Sequence, residues 1–351
     1  MAHPSLLKRT AAPAVPGAFA RYRPNVEQTL KDIVGRDGGL LYRMLRYHLG
    51  WEDEHGEAVP ASGGKAVRST LCLLAAEALS GSHAQALPGA AALELVHNFS
   101  LIHDDIQDGS PERRHRPTVW NVWGEPQAIN AGDAMYTLAR LALLRLDGGL
   151  LPGKVLAAAR LLDDSCLRMI EGQCLDLQYQ RLDTVTSEQY LDMIGKKTAA
   201  LLACSLELGA LLGGGGEDTR QRFHRGGYDL GLAFQMRDDL LGIWGEGAIT
   251  GKPTGEDIAR KKKSLPVVYG LNTAARPQRE RLTSVYAQPN VTGEGVAEVV
   301  ATLEEVGARE HVQALVEYHA SNALQAIAPL LPGDAARDLR DIVAFLTGRD
   351  Y

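Results

Sequence analysis

Apolar residues recur every three or four positions along most of this chain, which is the spacing that places them on one face of an α-helix. Alternating β-branched residues, which are typical of strands, are scarce. Several apolar segments are apolar nearly all round, as helices inside a bundle are. The pattern predicts eight helices, over residues 67–79, 90–107, 128–146, 154–175, 187–212, 222–241, 295–307 and 309–331.

Glycine and proline clusters separate these helices without forming a domain linker. The breaks fall at residues 81–83, 148–149, 213–216, 245–253 and 289–290. The sequence shows no repeat of fixed period. We therefore expect one all-α bundle forming a single domain over residues 1–351, with roughly residues 1–20, which contain three prolines, loosely held.

Composition and charge exclude several classes of protein. The net charge of −6 and the isoelectric point near 6.0 argue against a nucleic-acid binder. The first residues lack the apolar run of a signal peptide, and the apolar stretch 198–212, which contains Glu207, is too short to span a bilayer. The four cysteines form no CxxC pair, so we expect reduced core residues in a cytoplasmic protein.

A first aspartate cluster ends the apolar segment 90–107. Asp104 and Asp108 are four residues apart and share a helix face, with Asp105 beside them. Their oxygens suit magnesium, with substrate phosphate completing the coordination. A solvated acidic patch is the plainer alternative. The preceding apolar residues and the following pair Arg113 and Arg114, whose guanidinium groups can bind a diphosphate bidentately, count against it.

A second cluster, Asp238 and Asp239, lies in the apolar segment 222–241. Two buried carboxylates would not both stay ionised without a cation. The alternative is a structural ion pair with Arg237. Lys252 and a lysine run at 261–263 follow. Carboxylates and then cations on both sides of one pocket are what a magnesium-bound diphosphate requires.

Residues 63–68, GGKAVR, introduce the predicted helix 67–79. Glycines before a helix let backbone N–H groups approach an anion. Lys65 and Arg68 are three residues apart and share a face. The segment is not a P-loop, because Ala66 follows the lysine. Taken alone, it would be read as a surface turn.

Other polar residues are weaker indicators. Gln173 and Asp176 on an apolar helix could be a satisfied core pair. His97 and His103 flank the first cluster and would by default be hydrogen-bonded core histidines. Lys197 gains meaning only from the segments around it.

Taken together and in order, these segments resemble the trans-isoprenyl diphosphate synthases, or polyprenyl synthetases. The resemblance covers about residues 63–263. Its motifs are GGKAVRS, HNFSLIHDDIQD, ERRHRPTVW, the pair Gly132 and Asp133, GQCLD, KKTAAL, FQMRDDLLG and GKPTGEDIARKKKSLP. The resemblance implies the isoprenoid synthase fold, a single large helical bundle around a central cavity, and most closely suggests a geranylgeranyl diphosphate synthase.

The resemblance assigns roles to the matching residues. Six carboxylates would hold three magnesium ions: Asp104, Asp105, Asp108, Asp176, Asp238 and Asp239. Four cations would hold the allylic diphosphate: Arg113, Lys197, Lys252 and Lys262. Four residues would bind isopentenyl diphosphate: Lys65, Arg68, His97 and Arg114. Thr198 and Gln235 would line the developing carbocation.

The implied reaction begins with ionisation of the allylic C–O bond. The double bond of isopentenyl diphosphate then attacks the cation, and a proton is lost. Phe99, five residues before Asp104, matches the position that closes the product tunnel in geranylgeranyl-type enzymes. A helical wheel instead places Ser100 nearer the Asp104 face. Farnesyl diphosphate is the nearest alternative product.

Two other functional classes are less well supported. A terpene cyclase would need no second diphosphate pocket, and a non-catalytic partner subunit tends to lose the aspartates. Three residues depart from the resemblance: Ala66 replaces an arginine, Gly242 replaces a third acid and His115 replaces a glycine. The resemblance also implies a homodimer.

Overall fold

The computed structural model describes residues 15–35, 38–59, 64–148, 150–245 and 255–348. The first half contains α1 (Gly17–Val34), α2 (Gly39–His48), α3 (Val67–Ser80), α4 (Leu87–Gln107), α5 (Val119–Trp123), α6 (Glu125–Leu144) and α7 (Pro152–Tyr179). The second contains α8 (Ser187–Ile194), α9 (Ala200–Leu212), α10 (Glu217–Trp244), α11 (Glu256–Ala259), α12 (Leu265–Thr273), α13 (Arg276–Ala287), α14 (Gly293–Glu305), α15 (Ala308–Ile327) and α16 (Gly333–Thr347). These elements confirm the all-α prediction.

Short irregular elements connect the helices. Three 3₁₀ turns lie at Ala84–Ala86, Arg145–Gly148 and Ala328–Leu330, and a π-helical turn at Gly195–Ala199 joins α8 to α9. A two-stranded antiparallel hairpin pairs β1 (Glu112–Arg113) with β2 (Arg116–Pro117).

The two helices that carry the aspartate clusters lie within the bundle. α4 packs against α3 and α6, and α10 packs against α9 and α15. Small residues bring α10 close to its neighbours: a Cβ added at Gly227 would lie 2.7 Å from the Cα of Ala203, and one at Gly231 would lie 2.4 Å from the Cα of Ala199. The close approach fixes the position of α10, and packing against α3 and α6 fixes that of α4.

Most predicted helices are confirmed, with their ends shifted by a few residues. The predicted helix 187–212 is interrupted by the π-helical turn, and the predicted helix 309–331 ends its α-helical part at Ile327. The pattern did not predict α1, which carries Pro24 in its interior, because proline there removes a backbone hydrogen bond.

The prediction that residues 1–20 are loosely held was wrong for its last part. Helix α1 begins at Gly17 and buries Ala18 and Phe19 completely or nearly so. Residues 1–14 lie outside the described residues. That the whole chain forms a single domain stays a prediction.

The prediction of four core cysteines was wrong for one of them. Cys72, Cys166 and Cys204 are buried, but Cys174 is exposed. Burial raises the pKa of the Cys166 and Cys204 thiols to about 12, so both stay protonated. Cys174 lies on α7 where that helix borders a cavity rather than the packed core. Within the described ranges, no helix combines the length and apolar character needed to cross a membrane.

The hairpin explains why glycine would be favoured at position 115, although nothing in the structure explains the histidine that stands there. Arg114 and His115 form its two-residue turn, with φ of 53° and 60°. Positive φ at both turn residues is the requirement of a type I′ turn, which favours glycine. His115 therefore adopts a left-handed conformation that costs it roughly 1–2 kcal/mol more than glycine.

Candidate active site

Three adjoining cavities contain most of the predicted site residues. The main cavity has a volume of about 1160 Å³ and is bordered by both α4 and α10. A pocket of about 320 Å³, called the acidic pocket after its aspartates, is lined by Asp176, Asp238 and Asp239, although cationic side chains line it as well. A basic pocket of about 330 Å³ shares Lys65 with it. Phe234 lines all three, so it marks their junction.

The main cavity brings together residues that lie far apart in the sequence. Its lining includes fourteen of the predicted site residues: Arg68, His97, Phe99, Ser100, Asp104, Asp105, Asp108, Arg113, Arg114, Lys197, Thr198, Gln235, Asp238 and Lys262. Asp176 and Asp239 line the acidic pocket, and Lys65 lines both smaller pockets. Lys252 lies outside the described residues.

The first aspartate cluster occupies the last turn of α4. Asp104 is half-buried and borders the main cavity. Burial raises its pKa to about 6, and the nearby charges of Asp108 and Asp176 add to the rise. Asp105 is buried, and the Nε atom of Arg113 donates to its two oxygens at 2.9 and 3.0 Å. Asp105 therefore fixes Arg113 at the cavity wall.

The second cluster lies near the end of α10, and its two acids also differ in their surroundings. Asp238 is exposed and lines the main cavity and the acidic pocket. Asp239 is buried and accepts hydrogen bonds from the hydroxyl of Tyr190, from the backbone N–H of Leu265 at 3.0 Å and from Gln235 at 3.2 Å. Burial raises the pKa of Asp239 to about 7 despite these donors.

The π-helical turn presents two predicted site residues. Lys197 donates to Asp176 at 2.5 Å, and the hydroxyl of Thr198 donates to Gln235 at 2.7 Å. A Cβ added at Gly172 would lie 2.2 Å from the backbone nitrogen of Lys197, so only glycine lets α7 approach the turn. Isolated π-helical turns are frequent at functional sites because the extra residue redirects side chains.

The basic pocket holds all four residues assigned to the second diphosphate: Lys65, Arg68, His97 and Arg114. Burial lowers the pKa of His97 well below its usual value, and the charges of Arg68 and Arg114 add to the effect. His97 is therefore neutral at pH 7. A Cβ added at Gly64 would lie 2.6 Å from Nη2 of Arg114, so the glycine leaves room for the guanidinium group.

Two contacts made by residues of the basic pocket were not recognised from the sequence: one is made by Glu94, and the other joins Lys65 to Phe345, which lines the acidic pocket. Glu94 is buried and accepts hydrogen bonds from the backbone N–H of Ser69 at 3.1 Å and from its hydroxyl at 2.8 Å. Glu94 thereby joins α4 to the first turn of α3. The ammonium group of Lys65 lies 4.7 Å from the ring centroid of Phe345. No local sequence pattern indicates either contact, because the two partners of each contact are far apart in the sequence.

Aromatic side chains form part of the lining of the main cavity. The ring of Phe99 lies 5.4 Å from that of Tyr136 on α6 and 5.5 Å from that of His103. Ser100 also lines the cavity, and its hydroxyl donates to the backbone oxygen of His97 at 2.8 Å. The structure thus places both candidate product-length residues at the cavity and adds Tyr136, which the sequence pattern did not single out.

The residues fit magnesium bound together with substrate, rather than a metal site made by protein alone. Among the described residues, no three His, Cys, Asp or Glu side chains converge to hold an ion. Asp104, Asp108 and Asp238 nevertheless border one cavity from two helices. Magnesium commonly takes one or two carboxylates, with waters and substrate phosphates as its other ligands.

Comparison with known proteins agrees with this geometry. The polyprenyl synthetase family model matches residues 51–303. The chain is 38% identical over 328 residues to the (2E,6E)-farnesyl diphosphate synthase of Mycobacterium tuberculosis, covering 92% of this chain and 90% of the relative. It is 41% identical over 305 residues to the geranylgeranyl diphosphate synthase of the same species, covering 87% and 84%.

Solved structures share the fold. A polyprenyl synthetase from Streptomyces coelicolor superposes with a TM-score of 0.87 at 39% identity, over 94% of this chain and 98% of that one. A geranylgeranyl pyrophosphate synthetase from Pyrococcus horikoshii gives 0.86 at 30% identity, over 95% and 98%. The bundle is therefore the isoprenoid synthase fold. This chain belongs to the polyprenyl synthetase family and is a prenyltransferase of the short-chain trans type.

Proposed function

We propose that this prenyltransferase makes geranylgeranyl diphosphate by condensing isopentenyl diphosphate with allylic diphosphates, using three magnesium ions. The observation that carries the product assignment is the ring pair of Phe99 and Tyr136 at the main cavity. Farnesyl diphosphate is the second candidate product, because a relative of similar identity bears that name.

The allylic diphosphate is proposed to lie between the two aspartate clusters. When bound, magnesium neutralises the developing negative charge of the leaving diphosphate. Asp104, Asp108 and Asp238 border the cavity there and are the carboxylates best placed to hold the ions. Asp176 belongs to this set through its contact with Lys197. Asp105 and Asp239 are proposed to act on the site through the groups they anchor.

Cations of this chain complete the allylic diphosphate site. Arg113, Lys197 and Lys262 border the main cavity, each from a different segment. Burial alone would lower the pKa of Lys262, but Asp257, Asp176 and Asp108 raise it overall. Lys262 therefore stays charged at pH 7 and can stabilise a departing anion.

Isopentenyl diphosphate is proposed to bind in the basic pocket. Arg68 and Arg114 present guanidinium groups suited to bidentate binding of a diphosphate. The neutral His97 can donate one N–H without adding charge. Because the pocket and the main cavity share Arg68, His97 and Phe234, the two substrates would meet at their junction.

Thr198 and Gln235 are proposed to line the allylic cation. Both side chains line the main cavity, and the Thr198 hydroxyl donates to the Gln235 amide oxygen, so oxygen dipoles that can stabilise positive charge without attacking it are held at the cavity. Among the described residues, no side chain stands out as the base that accepts the product proton. We therefore assign that proton to the departing diphosphate.

Product sizing tests the assignment of the product. The purified protein is incubated with isopentenyl diphosphate and each allylic primer, and products are separated by chromatography at matched conversion. Twenty-carbon products support the proposal, and products that stop at fifteen carbons support a farnesyl diphosphate synthase. Hydrocarbon formed from an allylic diphosphate alone would instead indicate a terpene cyclase.

Substitutions of Phe99 and Ser100, the two candidate product-length residues, show which of them limits the length of the product. Phe99→Ala should shift products beyond twenty carbons. It should also lower the free energy of unfolding by about 3–5 kcal/mol, because the ring of Phe99 is buried. Ser100→Phe should stop growth at fifteen. Leu93→Ala is the matched control, since Leu93 is buried on the same helix but does not line the main cavity. If Phe99→Ala leaves the products unchanged and Ser100→Phe shortens them, Ser100 and not Phe99 limits the length of the product.

We also propose that the protein is a homodimer through the outer faces of α6 and α7. Large apolar residues are exposed on these helices and the segment between them: Ile129, Leu141, Leu144, Leu151, Leu156 and Leu167. Exposed apolar surface on neighbouring helices is typical of symmetric interfaces. Light scattering should give twice the chain mass, and Leu156→Glu with Leu167→Glu should give the monomer. A monomeric parent at micromolar concentration would contradict this.

A further inference from the structure

Gly132 and Asp133 form a motif of the sequence to which the proposed function gives no role. Gly132 lies in the interior of α6 and is buried there. Glycine destabilises the interior of a helix relative to alanine, and Gly132 has no positive φ that would require a glycine. Any residue could adopt its backbone conformation, so what distinguishes position 132 is the space beside it.

The imidazole ring of His103 fills the space beside Gly132. A Cβ added at Gly132 would lie 2.2 Å from Nε2 of His103 and 2.4 Å from its Cδ2, and the three nearest atoms all belong to this ring. Nε2 also lies 3.3 Å from the backbone oxygen of Ile129, which can only accept, so Nε2 carries the proton of this hydrogen bond. Oδ1 of Asp133 lies 3.9 Å from Nε2, beyond hydrogen-bond distance. The backbone of α6 therefore holds the ring of His103 in place.

Two aromatic rings continue this contact between α4 and α6 one helical turn further on. Phe99 precedes His103 by four residues on α4, and Tyr136 follows Gly132 by four residues on α6, so each of these pairs shares a helix face. The ring of Phe99 lies 5.4 Å from that of Tyr136 and meets the ring of His103 edge-on, at 5.5 Å and 89°. Phe99 is thus held by a ring from α6 and by a ring from the next turn of its own helix.

Phe99 depends on these two rings for its orientation, because a phenyl group makes no hydrogen bond of its own. Tyr136 is fixed by Arg140, whose Nη1 donates to its hydroxyl at 2.9 Å, and His103 is fixed by its bond to Ile129. Edge-to-face ring pairs favour one relative orientation. All three rings line the main cavity. Loss of the imidazole ring would therefore leave one side of Phe99 unsupported at the cavity.

We propose that His103 is a positioning residue for product length. Packed against Gly132, its imidazole ring fixes the ring of Phe99 and thereby limits how far the product chain can grow. The role of Gly132 is to leave room for the imidazole ring. This inference rests on the proposed function, in which Phe99 limits the length of the product. It assigns to His103 no contact with magnesium or diphosphate.

Product sizing in a double-mutant cycle tests whether His103 acts through Phe99. The parent, His103→Ala, Phe99→Ala and Phe99→Ala/His103→Ala are incubated with isopentenyl diphosphate and one allylic primer, and their products are compared at matched conversion. His103→Ala should raise the ratio of products one isoprene unit longer to the parent's product by about 2–10-fold, the effect of losing one edge-to-face ring pair. The double variant should give the products of Phe99→Ala, because the ring that His103 positions is already absent.

A second substitution of His103 separates the ring from its hydrogen bond. His103→Gln keeps an N–H donor that can reach the backbone oxygen of Ile129, but it has no ring to meet Phe99. It should lengthen the products as His103→Ala does. His311→Ala is the control, because His311 is exposed on α15, stacks on Tyr269 and lines none of the three cavities. Circular dichroism establishes that each variant is folded.

Substitutions of Gly132 test the space that the ring occupies. Gly132→Ala places a methyl group where the imidazole ring of His103 lies, so it should displace the ring and lengthen the products. Gly132→Ala/His103→Ala should give the same products as His103→Ala, because the methyl group then meets no ring. Products that lengthen further in this double variant would overturn the role assigned to Gly132.

The outcomes distinguish this inference from the proposed product. A parent that stops at fifteen carbons would overturn the proposed product, whereas the role of His103 is decided by the change relative to the parent. Unchanged products in folded His103→Ala and His103→Gln would overturn that role. Equal lengthening by His103→Ala with and without Phe99 would also overturn it, because His103 would then limit growth by its own bulk. Phe99→Ala with the products of the parent would overturn it as well, since the ring that His103 positions would not limit growth.

Discussion

Each aspartate cluster contains an adjacent pair whose two acids have different surroundings. On α4, Asp104 borders the main cavity while Asp105 is buried against Arg113. On α10, Asp238 is exposed at the cavity while Asp239 is buried against Tyr190. Adjacent residues of a helix point about 100° apart, so the two acids of each pair have different neighbours. Asp105 also lines the main cavity and Asp239 the acidic pocket, but each of these second acids is buried and held by side chains of the wall.

The two anchoring acids differ in the charge of their partners. Asp105 meets a guanidinium group, whereas Asp239 meets the hydroxyl of Tyr190, the backbone N–H of Leu265 and the amide of Gln235. Asp105 thus holds a cation at the wall of the main cavity. Asp239 instead joins α8, α10 and α12 by neutral donors. The same sequence pattern therefore fixes a cation at the main cavity in one cluster and secures tertiary packing in the other.

The largest expected effect is the loss of turnover when the first acid of either pair is removed. Asp104→Ala or Asp238→Ala should lower turnover by about 10²–10³-fold or more, because each removes stabilisation of the departing diphosphate. The fold should persist, since neither side chain is part of the packed core. Steady-state turnover is measured beside the helical circular dichroism signal. Near-normal turnover in a folded variant would contradict the proposed role of that aspartate in stabilising the departing diphosphate.

The second prediction concerns stability. Asp239→Ala leaves the hydroxyl of Tyr190 and the N–H of Leu265 without their acceptor. Each unpaired buried donor costs about 1–3 kcal/mol, so the free energy of unfolding should fall by roughly 2–6 kcal/mol. Asp238→Ala, at the exposed neighbouring position, is the control and should cost far less. Denaturant titration gives both values, and equal losses would mean that Asp239 is no anchor.

The third prediction extends the comparison to the basic pocket, where none of the described lining residues is an aspartate. Arg68→Ala should raise KM for isopentenyl diphosphate by roughly 10–100-fold, because a hydrogen bond to a charged group contributes about 1.5–3 kcal/mol. KM for the allylic substrate should change little. Arg113→Ala, in the allylic set, should show the opposite preference. Equal effects on both substrates would assign Arg68 a structural role.

The smallest expected effect uses a carboxylate remote from the site. Burial alone would raise the pKa of Glu207, but hydrogen bonds from His224 and Arg220 lower it below the usual 4.5. Its contribution to stability is therefore present above about pH 4.5 and is lost as pH falls through the lower folded value. Glu207→Gln should show a shallower loss of stability between pH 5 and 3. An unchanged slope would show that Glu207 is not linked to folding.

Periodicity and motif order predicted much of this molecule, because both are local properties. The apolar spacing around Asp104 and Asp238 indicated the two helices, and the cations that follow indicated the chemistry. The sequence did not show which acid of each pair faces the cavity, since either rotation of α4 or α10 fits a run of apolar residues. Tertiary packing decides that orientation.

Contacts between distant segments account for what the sequence did not predict. Tyr136 meets Phe99 from α6, and Asp257 fills the space beside Gly242 from α11. Each was an unremarkable residue in its own segment. The two-residue turn at Arg114 also lacked its usual glycine, which hid the hairpin from a helix-dominated pattern.

Calorimetric binding of magnesium pyrophosphate to Asp104→Asn and Asp105→Asn tests the central claim most directly, because these substitutions are isosteric and adjacent. The account predicts that Asp104→Asn loses the magnesium-dependent part of the affinity. Asp105→Asn should retain that magnesium dependence. It should lose only the part of the pyrophosphate affinity that Arg113 contributes when magnesium is absent. If Asp105→Asn abolishes the magnesium dependence while Asp104→Asn preserves it, the assignment of the two acids is reversed and the account is contradicted.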